Sequence, residues 1–167
     1  MVTKERARAQ AKSESKEQAP RACESLRDSL KDLAVLCIDD DARELRELGE
    51  VLRFAGATVV MAESAREARA HLGRFVPDVV LCDLEMPIED GFDFIRFFRG
   101  STILNAKSAL AFAASTQPGP QVLGRAIEAG YHFVIAKPVE LKTFVDHVHH
   151  FAESLLFMEE HSDLPAN

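Results

Sequence analysis

Five short apolar runs alternate with five amphipathic segments through most of this chain, and that alternation leaves few folds open. The runs are "LAVLCID" (33–39), "ATVVMA" (57–62), "DVVLCD" (78–83), "ALAFAAS" (109–115) and "HFVIA" (132–136). Runs that are apolar throughout, rather than at every second position, read as strands buried on both faces. Between them, "ARELRELGEVLRFAG" places Leu45, Leu48, Leu52 and Ala55 on one helical face and stops at Gly56. "SAREARAHL" opens with Ser64 and Glu67 in capping-box spacing. "GFDFIRFFRG" turns its Phe and Ile residues inward, and "PQVLGRAIEAG" closes at Gly130. "ELKTFVDHVHHFAESLLFMEE" carries Leu141, Phe144, Val145, Val148, Leu155 and Leu156 along one side. Strands alternating with helices predict an α/β fold, a doubly wound five-stranded parallel sheet covered on both faces. In such sheets the working residues lie beyond the carboxyl ends of the strands.

The flanks divide the chain further. Residues 1–20 are a charged segment expected to be a disordered tail. Residues 21–32 place Ala22, Leu26 and Leu30 at helical spacing, with Leu33 just beyond, and predict an extra short N-terminal helix that docks on the domain or on a second copy. The domain itself is expected over 33–158, followed by a C-terminal tail at 159–167. At 47% hydrophobic residues the chain can bury a core without disulfides. The net charge of −7 is uneven. Residues 1–21 hold six Lys/Arg and three Glu, a net +3, which leaves −10 for the rest. An acidic body argues against nucleic acid as the main ligand. The longest unbroken apolar run, "ALAFAA", is far too short to span a bilayer, and the N-terminus lacks the apolar region of a secretory signal. Cys23, Cys37 and Cys82 have no metal-ligand spacing, and their odd number fits free thiols in a reducing, cytoplasmic setting.

Three strands end in charge. The first ends in Asp39 and Asp40, the third in Asp83 and the fifth in Lys137. Parallel strands bring those ends to one side, and if strands one and three are neighbours the three carboxylates converge there with an ammonium beside them. Hard oxygen ligands in a small cluster suit Mg²⁺. The central carboxylate can then act as a nucleophile toward phosphorus. Asp41 fits the N-cap of the first helix, and Glu44, Glu47 and Glu50 fit a solvated helix face. His147 and His150 have i, i+3 spacing but no third metal ligand in sight.

The stretches "VLCIDDDAR", "PDVVLCDLEMPIEDGFDFIR" and "EAGYHFVIAKP" together resemble the receiver domain of two-component response regulators, over about residues 33 to 158. The resemblance implies a flavodoxin-like sheet of order 2-1-3-4-5. It implies Asp39 and Asp40 as the acid pair that positions Mg²⁺, with the Glu85 backbone carbonyl as a further metal ligand. It makes Asp83 the phosphoacceptor and Lys137 the phosphate-binding lysine. Pro87, Asp90 and Gly91 match the loop after the acceptor, and Lys137-Pro138 matches a cis peptide bond. The Glu85 side chain would point toward the site entrance. The hydroxyl residue that contacts the phosphoryl group falls on Ser115 when counted back from Lys137, whereas counting forward from the third helix lands nearer Ala113.

Two departures stand out. The aromatic switch residue three places before the lysine is replaced by Val134, with Phe133 one place off and so on the opposite face. "TQPGPQ" puts two prolines and a glycine where the fourth helix should start. Because little follows the fifth helix, the expectation is a single-domain, chemotaxis-receiver-like member with no enzymatic activity beyond self-phosphorylation and self-dephosphorylation. Its expected partners are a sensor histidine kinase or phosphotransfer protein and a downstream target protein, with homodimerisation through an apolar helix face as an option. A phosphorylation-independent adaptor of the same fold remains open. So does, more remotely, a haloacid-dehalogenase-type phosphatase that would use Asp39 as nucleophile and Asp41 as acid.

Overall fold

The computed structural model describes residues 26–161, with side chains as far as Phe151. Five strands form one sheet: β1 (Ala34–Ile38), β2 (Thr58–Ala62), β3 (Val79–Asp83), β4 (Leu110–Ser115) and β5 (Phe133–Ala136). The helices between and after them are α1 (Ala42–Phe54), α2 (Ala65–Leu72), α3 (Gly91–Gly100), α4 (Pro120–Ala129) and α5 (Leu141–His161). All strand pairs are parallel, in the order β2-β1-β3-β4-β5. This is the doubly wound topology that the alternation and the resemblance predict.

The period-2 alternation of strand side chains sorts the core into two layers. On one face Leu36, Ile38, Val80, Cys82, Ala111 and Ala113 pack under α2, α3 and α4. On the other, Val35, Cys37, Val79, Leu81, Phe112 and Ile135 pack under α1 and α5. Phe94, Phe98, Phe112 and Phe144 are the largest fully buried side chains. Each such burial stabilises the fold by about 1.5–3 kcal/mol relative to exposure. Cys37 and Cys82 are buried free thiols, and burial pushes the Cys37 thiol up to about 12, so it packs as a small apolar residue. Cys23 lies outside the described residues.

Local signals act where the sequence puts them. Asp41 caps α1 by accepting from the Arg43 and Glu44 amides. Ser64 caps α2 through the Glu67 amide, while the Glu67 carboxylate accepts from the Glu63 N–H. Gly56, at φ +93°, turns the chain after α1 in a conformation that L side chains rarely adopt. α4 starts at Pro120 in its first turn, where a missing N–H costs nothing.

The N-terminal expectation needs correction. Residues 26–32 are a run of turns, not a helix. Asp28 and Asp32 take positive φ angles of 59° and 67°, which break helical progress. The apolar spacing is nevertheless used: Leu30 is fully buried, and Leu26 and Leu33 pack against the α1/α5 layer. The Leu30 N–H donates to the Ala55 carbonyl at 2.7 Å, pinning the segment beneath α1. Residues 21–25 of the expected helix, and the tail at 1–20, lie outside the described residues. At the other end α5 continues to His161, past the boundary expected at 158. The described apolar residues of both segments that prompted the homodimer expectation are spent on the chain's own core. Leu155 and Leu156 lie beyond the described side chains.

Candidate functional site

Asp39 follows β1, Asp83 ends β3 and Lys137 follows β5. By period 2 all three share the α1/α5 face of the sheet, at its carboxyl edge. β4 lies between β3 and β5, and opposite Asp83 it presents Ala114. That small side chain leaves Lys137 room to reach across. Its ammonium lies 2.7 Å from Asp83 Oδ2, 2.8 Å from Asp39 Oδ2 and 2.8 Å from Glu44 Oε2. The remaining oxygens of the two buried aspartates are held by backbone. Asp39 Oδ1 accepts from the Asp41 N–H at 2.9 Å, and Asp83 Oδ1 from the Glu85 N–H at 2.8 Å. Asp83 and Asp39 are buried, at 5% and 6% exposed.

Three carboxylates around one ammonium leave an excess of negative charge. Burial, aided by repulsion from Asp83, raises the Asp39 carboxyl above the usual range, against the pull of Lys137 and the Asp41 amide. Burial alone would lower the Lys137 ammonium, but its bonds to Asp39, Asp83 and Glu44 outweigh that and hold it well above the usual lysine range. Asp40 is exposed, and one oxygen each from Asp39, Asp40 and Asp83 come within 4.8 Å of one another. This all-carboxylate donor set is what Mg²⁺ takes, since the ion uses one or two carboxylates and completes its shell with water and phosphate oxygens.

The neighbouring loops frame this cluster. Ser115 ends β4, is 2% exposed and accepts from the Gln117 N–H at 3.2 Å, while its carbonyl accepts from the Lys137 N–H at 2.9 Å. Of the two hydroxyl placements, this puts Ser115 at the strand end beside Lys137. Ala113 is buried two residues earlier in the α2–α4 layer. Glu85 is exposed at the entrance, where its carboxylate accepts from the Thr116 hydroxyl at 2.8 Å. Asp90 caps α3 through the Asp93 amide. Gly91 is the first residue of α3, and a Cβ there would sit 2.3 Å from the Asp83 carbonyl oxygen. Lys137-Pro138 is cis.

Some functional contacts were not foreseen. Glu44, read as part of a solvated face, instead reaches Lys137. The available signal was an acid in the first turn of the helix that begins at the strand-one carboxylates. Tyr131, six residues before Lys137, is buried and donates its hydroxyl hydrogen to the Gly91 carbonyl at 2.7 Å. Val134 packs into the α2–α4 layer, while Phe133 stacks on Phe112 at 5.2 Å in the opposite layer. Phe112, on the neighbouring strand, is fully buried against Phe144 and is a core residue. The His147 ring nitrogen Nδ1 lies 2.6 Å from the Thr143 carbonyl, so the histidine pair does not form a metal site through that atom. Asp41, the acid a phosphatase would need, points to the amides of α1.

The family model for the response regulator receiver domain matches residues 35–149. The chain belongs to that family. The transcriptional regulatory protein PhoP of Escherichia coli K12 is 31% identical to this receiver over 110 residues, covering 66% of this chain and 48% of PhoP. The virulence transcriptional regulatory protein PhoP of Salmonella typhimurium 14028s is 30% identical over 110 residues, 66% of this chain and 47% of that one. The receiver thus spans about half the length of the curated relatives it matches. Among solved structures, a response regulator receiver protein from Pseudomonas putida is 27% identical, with a TM-score of 0.63 over 71% of this chain and 96% of that one. The Vibrio cholerae chemotaxis protein CheY4 shares the fold at 24% identity, with a TM-score of 0.66 over 71% of this chain and 97% of that one. The receiver's described helices include none long and apolar enough to cross a membrane.

Proposed function

We propose that Asp83 accepts a phosphoryl group from a phosphohistidine on a sensor kinase or phosphotransfer protein, and that the modified receiver changes its affinity for a downstream target protein. The observation that carries this is the placement of the Asp83 carboxylate, buried between an acid pair and a lysine at the carboxyl edge of the sheet. In the transfer, a carboxylate oxygen of Asp83 forms an O–P bond as the N–P bond breaks, and the leaving imidazole keeps the electron pair. Lys137 holds a phosphoryl oxygen as a point charge, and the Ser115 hydroxyl donates to another. Asp39, Asp40 and Asp83, with the Glu85 carbonyl, would hold Mg²⁺. Bound there, the ion offsets the negative charge that gathers on the phosphoryl oxygens. The protein's own contribution is positioning. Its activity is confined to gaining and losing its own phosphoryl group.

The test is intact-mass spectrometry after incubation with Mg²⁺ and a small phosphodonor. Wild type should gain a single Mg²⁺-dependent phosphoryl adduct that Asp83→Asn lacks. An adduct that persists in Asp83→Asn but vanishes in Asp39→Asn would reassign the nucleophile. No adduct under any donor would favour the phosphorylation-independent adaptor.

A further inference from the structure

An ammonium has three N–H donors. In this structure Lys137 lies within 2.8 Å of three carboxylates, donating to Asp39 and Asp83 and holding Glu44 as an ion pair. A phosphoryl group on Asp83 brings further anionic oxygens to the same ammonium, where they compete with the carboxylates already there. The three are not equivalent. Asp39 and Asp83 have side chains 9% and 5% exposed, and each is also fixed by a backbone amide. Glu44 has a side chain 50% exposed, and its carboxylate comes from α1 rather than from the sheet. It also borders an open groove of about 430 Å³ shared with Leu48, Val51, Pro138 and Val139. Releasing Glu44 therefore exchanges an ion pair for hydration, whereas Asp39 is held in place by burial and by its bonds from Lys137 and the Asp41 amide.

We propose that Glu44 is the exchangeable partner of Lys137: it occupies the lysine in the unmodified receiver and is displaced by the phosphoryl group on Asp83. This rests on Asp83 being the phosphoacceptor. Glu44 is a positioning residue, because it touches the lysine and not the reacting atoms. The phosphoryl oxygens repel the Glu44 carboxylate at contact distance, and Glu44, with its side chain half exposed, gives way to water. Displacement swings an acidic side chain along the wall of the α1 groove. The phosphorylation state then changes the charge and shape of that groove without an aromatic at position 134.

The experiment is calorimetric titration of the full chain with beryllofluoride and Mg²⁺, a mimic of the phosphoryl group on a carboxylate. Wild type is compared with Glu44→Gln, Glu44→Asp and Asp83→Asn. Removing the competitor in Glu44→Gln should tighten beryllofluoride binding by about threefold to fivefold, the scale of a partly exposed ion pair. Glu44→Asp keeps the charge but is one methylene too short for the contact, so it should tighten binding similarly. Unchanged or weaker binding in Glu44→Gln overturns the proposal. Tightening in Glu44→Gln with wild-type affinity in Glu44→Asp overturns it too, by assigning the effect to net charge near the site. A wild type that binds no more than Asp83→Asn sinks the phosphoacceptor reading, and this inference with it.

Discussion

Each edge of the sheet holds a partly buried cation, and the two are wired in different ways. At the carboxyl edge Lys137 is surrounded by the carboxylates of Asp39, Asp83 and Glu44. At the amino edge Arg99 donates to the carbonyls of Gly130, Ala106 and Ala109 at 2.8–2.9 Å. Along the same edge, Asp78 Oδ2 accepts from the Ala34 N–H at 2.9 Å and His132 Nδ1 accepts from the Ala111 N–H at 3.0 Å. Carbonyls are fixed by the fold and carry no net charge, so the Arg99 cluster can only tie segments together. Carboxylates can trade one cation for another, or gain a phosphoryl group. The difference separates an edge that holds the chain from an edge that reacts.

The sharpest way to break this division is to remove each cation. Lys137→Ala should lower the rate of phosphoryl adduct formation by about 10²-fold or more, the scale of deleting one donor from a charge-stabilising site. It should also destabilise the fold by about 3 kcal/mol, because Asp39 and Asp83 are left buried and unpaired, and Mg²⁺ should restore part of that. Arg99→Ala should cost about 2–3 kcal/mol through its orphaned carbonyls, with no recovery by Mg²⁺ and no loss of adduct formation. Urea denaturation with and without Mg²⁺, alongside intact mass, reads all of these. A Mg²⁺-sensitive Arg99→Ala, or a Lys137→Ala that keeps wild-type adduct formation, would erase the distinction. The pH dependence has a defined sign as well. The native pKa of Lys137 is raised, so its stabilising share is fully present below the ordinary lysine value and is lost only as pH rises through the higher native one.

The two edges were also unequally legible in the sequence. Asp39, Asp83 and Lys137 could be read because each closes an apolar run and parallel strands gather such ends. The five strands and their helices were legible for the same reason, with Gly56 and Gly130 as visible stops. Arg99 could not be read, since its partners are carbonyls up to 31 residues away and a carbonyl has no sequence signature. Glu44 was hidden differently. On α1 it has the pattern of an exposed position, and its place in the first turn beside the strand-one carboxylates is the one local sign that a lysine 93 residues on lies within its reach. Leu26, Leu30 and Leu33 had helical spacing, yet a series of turns through Asp28 and Asp32 delivers the same burial. Periodicity thus identified which residues meet the core, but not the backbone path between them.

Gly91→Ala probes how far the reacting edge depends on packing. Its Cβ would meet the Asp83 carbonyl oxygen, Leu84 Cα and Asp83 C at 2.3, 3.0 and 3.1 Å, all backbone atoms that cannot rotate away. α3 must therefore shift from β3, at a cost of about 2 kcal/mol. The shift acts on Asp83, the proposed phosphoacceptor, so adduct formation should slow with it. A variant that loses stability but forms the adduct at the wild-type rate would show that Asp83 is positioned by its Lys137 and Glu85 contacts alone. The division between the edges would then be stricter still.

The smallest expected effect concerns acid, to which the two edges respond with opposite sign. His132 accepts a backbone N–H through Nδ1, and its ring is 3.3 Å from an Arg99 nitrogen. Burial and that guanidinium lower its pKa below the ordinary 6.5. A lowered pKa means that its stabilising share is present above the ordinary histidine value and is lost as pH falls through the lower native one. The raised carboxyl of Asp39 contributes in the reverse direction, with stability present in acid and lost as pH rises through its native pKa. Replacing His132 with Asn leaves an acceptor oxygen for the Ala111 amide but no group that titrates. In His132→Asn the decline in stability between about pH 7 and pH 5 should be shallower than in wild type, by less than about 1 kcal/mol, because the shift involves one half-buried group. Urea midpoints measured across that range provide the comparison. If both proteins decline with the same slope, His132 is not what makes the amino edge sensitive to acid, and the opposition between the edges rests on Asp39 alone.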